Sequence, residues 1–545
     1  VARLRRGGLP LLFALALLLV FNLPYAIGSA RQTADWRFSG VLFGLEDTYS
    51  YLAKMRQGAG GAWDFSLFYT AEPHEGAPLV YLQYLLPGQI VGRLVPETSP
   101  AHTDALLTAW ALMRIGFDAL YLWVLWRVIR RVLAGEGARL TAYVLAALGG
   151  GLGWLLPLLG GGMAAEFYIP EGFSPLVLLG MPHLALARAA MLGGLLLLLA
   201  ALDRPAMRQA LPWALGAGGC WLVTGLSVPF TLAVILALLG VLGLGRWLQT
   251  RRFPAALFWR ALAAAAPVLP LFAWYALVFS TRPAFVLWSA QNQLPSPPPL
   301  VYGLAYVLLI VPAVAGGRAL WRSGRAEGAL LVSWAVAALP LAYVPLAVQR
   351  RMLEGAIVPL ALLAAAGLAG WAGERRLRRV LAGVWLAAGF VPALMLLVGA
   401  YNAAWQPGPP LFRPAGEREA FEWLNAHAAP GDVVLSGVET GNALPVFAHV
   451  RVYMGHGPET LEWPRKRAEV LAFFSGGMDV AARATLYAGG GCLQAAPALC
   501  GDPIDWLVVG PRERALMGDA PPAWLDEWTP VYQDGAWAIY RPAGA

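Results

Sequence analysis

Apolar runs of about twenty residues recur along most of this chain, and each is long enough to cross the roughly 30 Å hydrocarbon core of a bilayer. The first is "LPLLFALALLLVFNLPYAIG", residues 9–28. Within lipid a spanning segment must satisfy its own backbone hydrogen bonds, which makes each such run a helix. Composition agrees. Of 545 residues, 58% are hydrophobic and only 13% are charged, about half the charged share of soluble domains. The expected fold class is therefore mainly α, a polytopic helical membrane domain. The net charge of +8 does not point to nucleic acid. The arginines cluster at span ends, as topology requires, and no basic groove with interleaved aromatics is present.

Arginine placement sets an expected topology. Arg3, Arg5 and Arg6 put the N-terminus in the cytoplasm. The long first run reads as an uncleaved signal anchor, with cleavage near Ala30 as the alternative. Residues 30–103 then form a large first outside loop. Its second apolar run, "YLQYLLPGQIVGRLV", is short, carries Pro87 and Gly88, and reads as an interfacial helix. About eleven spans between the first run and residue 400 reconcile the arginine clusters "RVIRR", "RWLQTRR" and "ERRLRR" with a cytoplasmic face.

The expected domains are 1–403, the multi-span membrane domain, and 404–545, an extracytoplasmic α/β domain. In the latter, "EREAFEWLNAHA" reads as an amphipathic helix, and "DVVLS", "VRVYMG" and "DWLVVG" as strands. "PVYQDGAWAIYR" reads as a hairpin turning at Asp534–Gly535. No GxGxxG opens a helix there. Cys492 and Cys500, eight residues apart in an oxidising compartment, are expected to form a disulfide; Cys220 lies in a span and packs.

The first outside loop holds the chemistry. Glu46 and Asp47 stand side by side, followed by Tyr49, Tyr51, Lys54 and Arg56, and the same loop carries Asp64, Glu72, His74 and Glu75 among many aromatics. An acidic pair can simply open a helix. A carboxylate near a membrane face can instead take the proton of an acceptor hydroxyl.

An N-terminal cytoplasmic helix, an acidic pair early in a large first outside loop, a surface helix after a "PH" element and many further spans together resemble the GT-C superfamily. These are integral-membrane glycosyltransferases such as the protein O-mannosyltransferases and the aminoarabinose transferases of lipid A. The likeness covers about residues 1–400. It implies transfer of a hexosyl or pentosyl group from a polyprenyl-phosphate carrier to an acceptor at the outer face, with Asp47 as the base and Glu46 as its neighbour or substitute. "AEPHEGAPL" stands where mannosyltransferases have a His-Pro-Pro element, but His74 is followed here by Glu75. His74, Glu72 and Tyr49 are expected to bind substrate.

Arg350 and Arg351, in "VPLAVQRRMLEG", fall at the outer face against the positive-inside bias. They suit a carrier phosphate, whose oxygens match planar guanidinium donors, with Arg350 facing the site and Arg351 meeting Glu354 or lipid headgroups. Arg188, in "MPHLALARAA", is expected to pair with an acidic residue of the first loop or to contact substrate. Gln291 and Asn292 lie in a proline-stiffened loop, and His456 and Glu459 in the Gly-rich turn "VYMGHGPET"; either segment can touch substrate. No His/Cys spacing indicates zinc. Glu46, Asp47 and Glu72 offer oxygen donors suited to magnesium or manganese, and GT-C enzymes include both metal-using and metal-independent members. The competing readings are a lipid or glycan transporter, a glycan polymerase or ligase, and a membrane scaffold. A transporter predicts an internal repeat or paired broken helices, of which the sequence gives no clear sign. A polymerase commonly keeps its large loop late.

Overall fold

Helices dominate the computed structural model, which describes residues 2–372, 376–518 and 522–543. The side chains of Arg3, Arg5 and Arg6, and residues Glu374 and Arg375 of the "ERRLRR" cluster, lie outside what is described. Six described helices are long and apolar enough to span a membrane: Gly8–Ala30, His102–Val132, Pro182–Leu202, Phe230–Thr250, Pro299–Arg322 and Gln349–Trp371. Two bent pairs, Ala255–Ala265 with Leu269–Thr281 and Arg376–Gly389 with Val391–Trp405, raise the number to eight if each is one span. Eleven was expected from the sequence. The difference arises where apolar runs fold as shorter helices, such as Glu136–Leu148 and Ala326–Leu341.

The compact units do not follow a single cut at residue 403. One unit comprises Val1–Ala26, Met113–Trp274 and Leu294–Ala403; the other comprises Ile27–Leu112, Tyr275–Gln293 and Ala404–Ala545. The segment expected as the first outside loop therefore folds with the C-terminal region, and residues 275–293 join them.

The first unit is a helix bundle. Trp221 donates its indole N–H to the Met191 carbonyl at 3.3 Å, fixing Met207–Ser227 against Pro182–Leu202. Pro299–Arg322 packs backbone to backbone on Ile357–Ala372. A Cβ on Gly316 would collide with the Leu363 carbonyl, and one on Gly367 with the Pro312 carbonyl. Small residues at such crossings let membrane helices approach closely.

The second unit has a five-stranded mixed sheet in the order Arg451–Val452, Val433–Leu435, Trp506–Val509, Trp537–Pro542, Trp528–Asp534. The first three strands are parallel and the last two join antiparallel. All the strands expected from sequence are present, as are the helix Ala415–His427 and the hairpin turn at Gly535. Cys492 and Cys500 form the expected disulfide. First-loop residues Trp36–Phe38 pair with Phe412–Pro414, so the loop is built into this unit through backbone hydrogen bonds as well as side chains. The surface helix is continuous from Leu82 to Leu94. It lies flush on Leu45–Ala59, because a Cβ on Gly88 would strike the Met55 carbonyl and one on Gly58 the Leu85 carbonyl.

Candidate functional site

The acidic pair sits in the first turn of Leu45–Ala59, which starts after Gly44 in the left-handed region (φ 58°). The N-cap is Gly44, which has no side chain to cap the helix, and the acidic pair follows it. Both carboxylates reach to the Gly-rich turn after the strand Arg451–Val452. Asp47 Oδ1 lies 3.0 Å from His456 Nε2, and Glu46 Oε1 accepts the Gly457 N–H at 3.1 Å. Asn442 donates to the Glu46 carbonyl at 3.3 Å, tying down the helix start. The Asp47 side chain is 53% exposed, whereas that of His456 is 6% exposed.

Behind His456 the contacts continue inward. Its Nδ1 is 3.6 Å from Glu459 Oε1. That oxygen accepts from Lys54 Nζ at 2.7 Å and from Ser50 Oγ at 2.8 Å. Lys54 is fully buried and its ammonium lies 4.3 Å from the Tyr81 ring centroid and 5.1 Å from that of Phe65, cation–π distances. Gln291 braces the turn by donating to the Pro458 and Thr460 carbonyls at 2.9 and 2.7 Å. A solvent-reachable carboxylate is thus backed by an imidazole, a buried carboxylate and a buried ammonium. The sequence reads His456 and Glu459 as a turn that touches the acceptor or folds over the site, not as partners of the acidic pair. Their only signal was a histidine and a glutamate in a glycine-rich turn after a strand.

Burial opposes the charge on His456, but the hydrogen bond to Asp47 and the charge of Glu459 outweigh it and raise its pKa above the usual imidazole value. Burial depresses the pKa of Lys54 against the pull of Glu459.

The remaining candidates of the loop serve its folding. Glu72 is completely buried against Lys466 at 2.7 Å and bonds Thr70. His74 Nε2 accepts the Leu67 N–H at 2.9 Å while Nδ1 meets the Glu72 carbonyl at 2.9 Å, so both ring nitrogens are used within the loop. Burial lowers the pKa of His74, which keeps it the neutral ring those two bonds need. Tyr49 is 1% exposed and lies under the Arg413 guanidinium. Glu72 and Tyr49 are thus buried in the packing around the loop and His74 is half-buried, each engaged with neighbouring residues. The oxygen set Glu46, Asp47 and Glu72 does not assemble, since Lys466 holds Glu72. Among the described residues no three His, Cys, Asp or Glu side chains gather to hold a metal ion.

In the bundle unit, Arg188 is fully buried and donates to Glu354 at 2.7 Å and to the Pro170 and Glu171 carbonyls at 3.0 and 2.9 Å. Its partner is therefore Glu354, not a carboxylate of the first loop. That pairing leaves Arg351 to Glu171, 3.9 Å away, with the guanidinium over the Phe230 ring. Arg350 follows a different course. It lies in the 3₁₀ turn Gln349–Leu353 with its guanidinium 5.9 Å from the Tyr168 ring centroid. Among the described residues it has no carboxylate partner, and its Nε is buried without an acceptor.

No family model matches the chain, and no curated protein is similar to it in sequence. Solved structures are similar in fold. The apo oligosaccharyltransferase of Archaeoglobus fulgidus superposes with a TM-score of 0.54 at 13% identity, over 91% of this chain and 69% of that one. The same enzyme tethered to an acceptor peptide containing the NVT sequon gives 0.52 at 13% identity, with the same coverage. ArnT from Cupriavidus metallidurans bound to undecaprenyl phosphate gives 0.50 at 14% identity, over 99% of this chain and 98% of that one. The chain has the fold of the GT-C membrane glycosyltransferases.

The His456 pair has a measurable consequence. A raised folded-state pKa means the pair stabilises fully below the ordinary imidazole value of about 6.5 and loses its contribution as pH climbs through the raised value. The chain has six histidines, so a labelled-histidine NMR titration can resolve His456. Its pKa is expected above about 6.5 in the wild type and lower in Asp47→Asn. An identical pKa in the two proteins would show that Asp47 and His456 do not interact.

Proposed function

We propose that this chain is a GT-C-type membrane glycosyltransferase that moves a sugar from a polyprenyl-phosphate carrier to an acceptor at the outer face of the membrane. The observation that carries the reading is the Asp47–His456 pair: an exposed carboxylate of the first loop backed by a buried charged network. The fold supports it, and so does the undecaprenyl phosphate bound to the ArnT neighbour.

In the proposed reaction Asp47 accepts the proton of an acceptor hydroxyl. The acceptor oxygen bonds to the anomeric carbon as the bond from that carbon to the carrier phosphate breaks. The phosphate leaves with the bonding pair; Arg350, a guanidinium of the bundle unit without a carboxylate partner among the described residues, is proposed as a ligand of the carrier phosphate. One displacement inverts the anomeric centre. His456 holds the Asp47 carboxylate in place, and Glu459 and Lys54 hold His456; these three are positioning residues. Glu46 spends one carboxylate oxygen on the Gly457 N–H and so fixes the turn that carries His456.

Asp47→Asn keeps the size and a hydrogen-bonding oxygen but removes the base. Transfer is expected to fall about 100-fold or more, the usual worth of general-base catalysis, with little change in thermal stability. Near-normal transfer by this variant would end the assignment of Asp47 as base.

Arg350 is tested through carrier binding. Arg350→Lys keeps charge but loses the bidentate fork, so affinity for polyprenyl phosphate is expected to weaken. Arg350→Ala is expected to cost more, on the order of 2–5 kcal/mol, and Arg351→Ala less, because Arg351 is engaged with Glu171. Equal carrier affinity for wild type and Arg350→Ala would rule out phosphate capture by Arg350.

A further inference from the structure

An apolar cleft of about 430 Å³ runs along the bundle unit between Pro299–Arg322, Ala326–Leu341 and the Leu353–Leu363 stretch. It is lined by Ala313, Gly317, Val332, Val336 and Leu360, and at one end by Arg318 and Arg322. Its volume falls in the range of about 300–1,000 Å³ typical of ligand pockets. Val314 and Val336 on its walls are 49% and 64% exposed, so the cleft opens sideways from the bundle, where lipid surrounds a spanning helix. From Tyr306 to Arg322 the lining helix rises about 24 Å, more than the roughly 15 Å that is half a hydrocarbon core.

The arginine end is strongly basic. Arg131 pairs with both Glu327 and Asp203 at 2.8 Å, Arg325 pairs with Glu327 at 3.3 Å, and Arg246 donates to the Gly324 carbonyl at 2.6 Å. Both carboxylates of this cluster are thereby already engaged by other arginines. Arg318 and Arg322, four residues apart and so on one helix face, have no carboxylate partner among the described residues. An apolar trough that ends in two uncompensated guanidiniums is complementary to one kind of molecule: a hydrocarbon tail carrying a phosphate.

We propose that this cleft is a binding site for an anionic diacyl phospholipid, with one acyl chain in the trough and the phosphate between Arg318 and Arg322. The face is the one that arginine placement assigns to the cytoplasm, and basic pockets between spanning helices on that side suit anionic headgroups. Leu353 of the Gln349–Leu353 turn lines the cleft, but Arg350 of that turn is not among the cleft residues, so the basic group of the cleft is Arg318 with Arg322. Such a lipid would wedge Ala326–Leu341, a helix too short to span on its own length, against its neighbours.

Native mass spectrometry of the full chain in detergent tests this with three probes: phosphatidylglycerol, phosphatidylcholine with the same acyl chains, and undecaprenyl phosphate. Phosphatidylglycerol is expected to be retained about tenfold or more over phosphatidylcholine, the scale set by two arginines at a lipid phosphate. The exposed double substitution Arg318→Gln/Arg322→Gln should abolish that preference. Val336→Trp, which fills the open wall, should reduce phosphatidylglycerol retention without removing the basic end, and Arg350→Ala should leave it unchanged. Equal retention of the two diacyl lipids by the wild type, or undiminished phosphatidylglycerol binding by the double variant, would overturn the proposal. Stoichiometric displacement of phosphatidylglycerol by undecaprenyl phosphate would overturn the choice of occupant, giving the cleft to the carrier instead.

Discussion

Buried cations fix the register of the first loop. Lys54 on Leu45–Ala59 has no exposed surface and meets Glu459; Lys466 on Trp463–Phe474 has none either and meets Glu72. Each pair joins a residue of the loop to one more than 390 positions later. Removing one partner of a buried pair leaves an uncompensated charge at a cost of about 3–5 kcal/mol. A slip of Leu45–Ala59 by one residue would turn Lys54 by about 100° away from Glu459. The same contacts that make the slip costly bring the turn carrying His456 to Asp47. The geometry of the acidic pair is therefore a consequence of pairs that take no part in the chemistry.

The bundle unit uses a similar device for a different end. Arg188 is satisfied by Glu354 and two carbonyls, as a polar group inside a spanning bundle must be. Glu354 bonds Arg188 and Glu171 lies 3.9 Å from Arg351, and among the described residues neither carboxylate pairs with Arg350. An unpaired guanidinium in a partly buried turn is unfavourable without an anion, and that unmet demand is what recommends Arg350 as a phosphate ligand.

Much of the fold was legible because it is written in local periodicity. The apolar runs, the strands "DVVLS" and "DWLVVG", the turn at Asp534–Gly535 and the Cys492–Cys500 disulfide all depend on neighbours a few residues apart. Asp47 stands out in the sequence by its neighbourhood in the loop, and its role as base is a proposal. What could not be read was partner choice across long separations. Nothing in the spacing of Glu72 points to Lys466, and Arg188 finds Glu354 166 positions away. Nor does the apolar stretch "PAFVLWSAQ" announce that it folds with the first loop and the C-terminal region. Its Phe285 and Trp288 rings lie 6.2 and 5.9 Å from that of Phe65, and apolar residues look the same in sequence whether they face lipid or a protein core.

The central claim is that Asp47 acts as a base rather than as a nucleophile, held ready by His456 for a single displacement. The anomeric configuration of the first-formed product decides between these two roles. NMR of the glycosylated acceptor, made from a carrier-linked sugar of known configuration, reads it directly. A base implies one displacement and an inverted anomeric centre. Attack by the Asp47 carboxylate itself would require two displacements through a glycosyl-enzyme and give retention, as in two-step carboxylate chemistry at sugars generally. Inversion is the result expected, and retention would contradict the account.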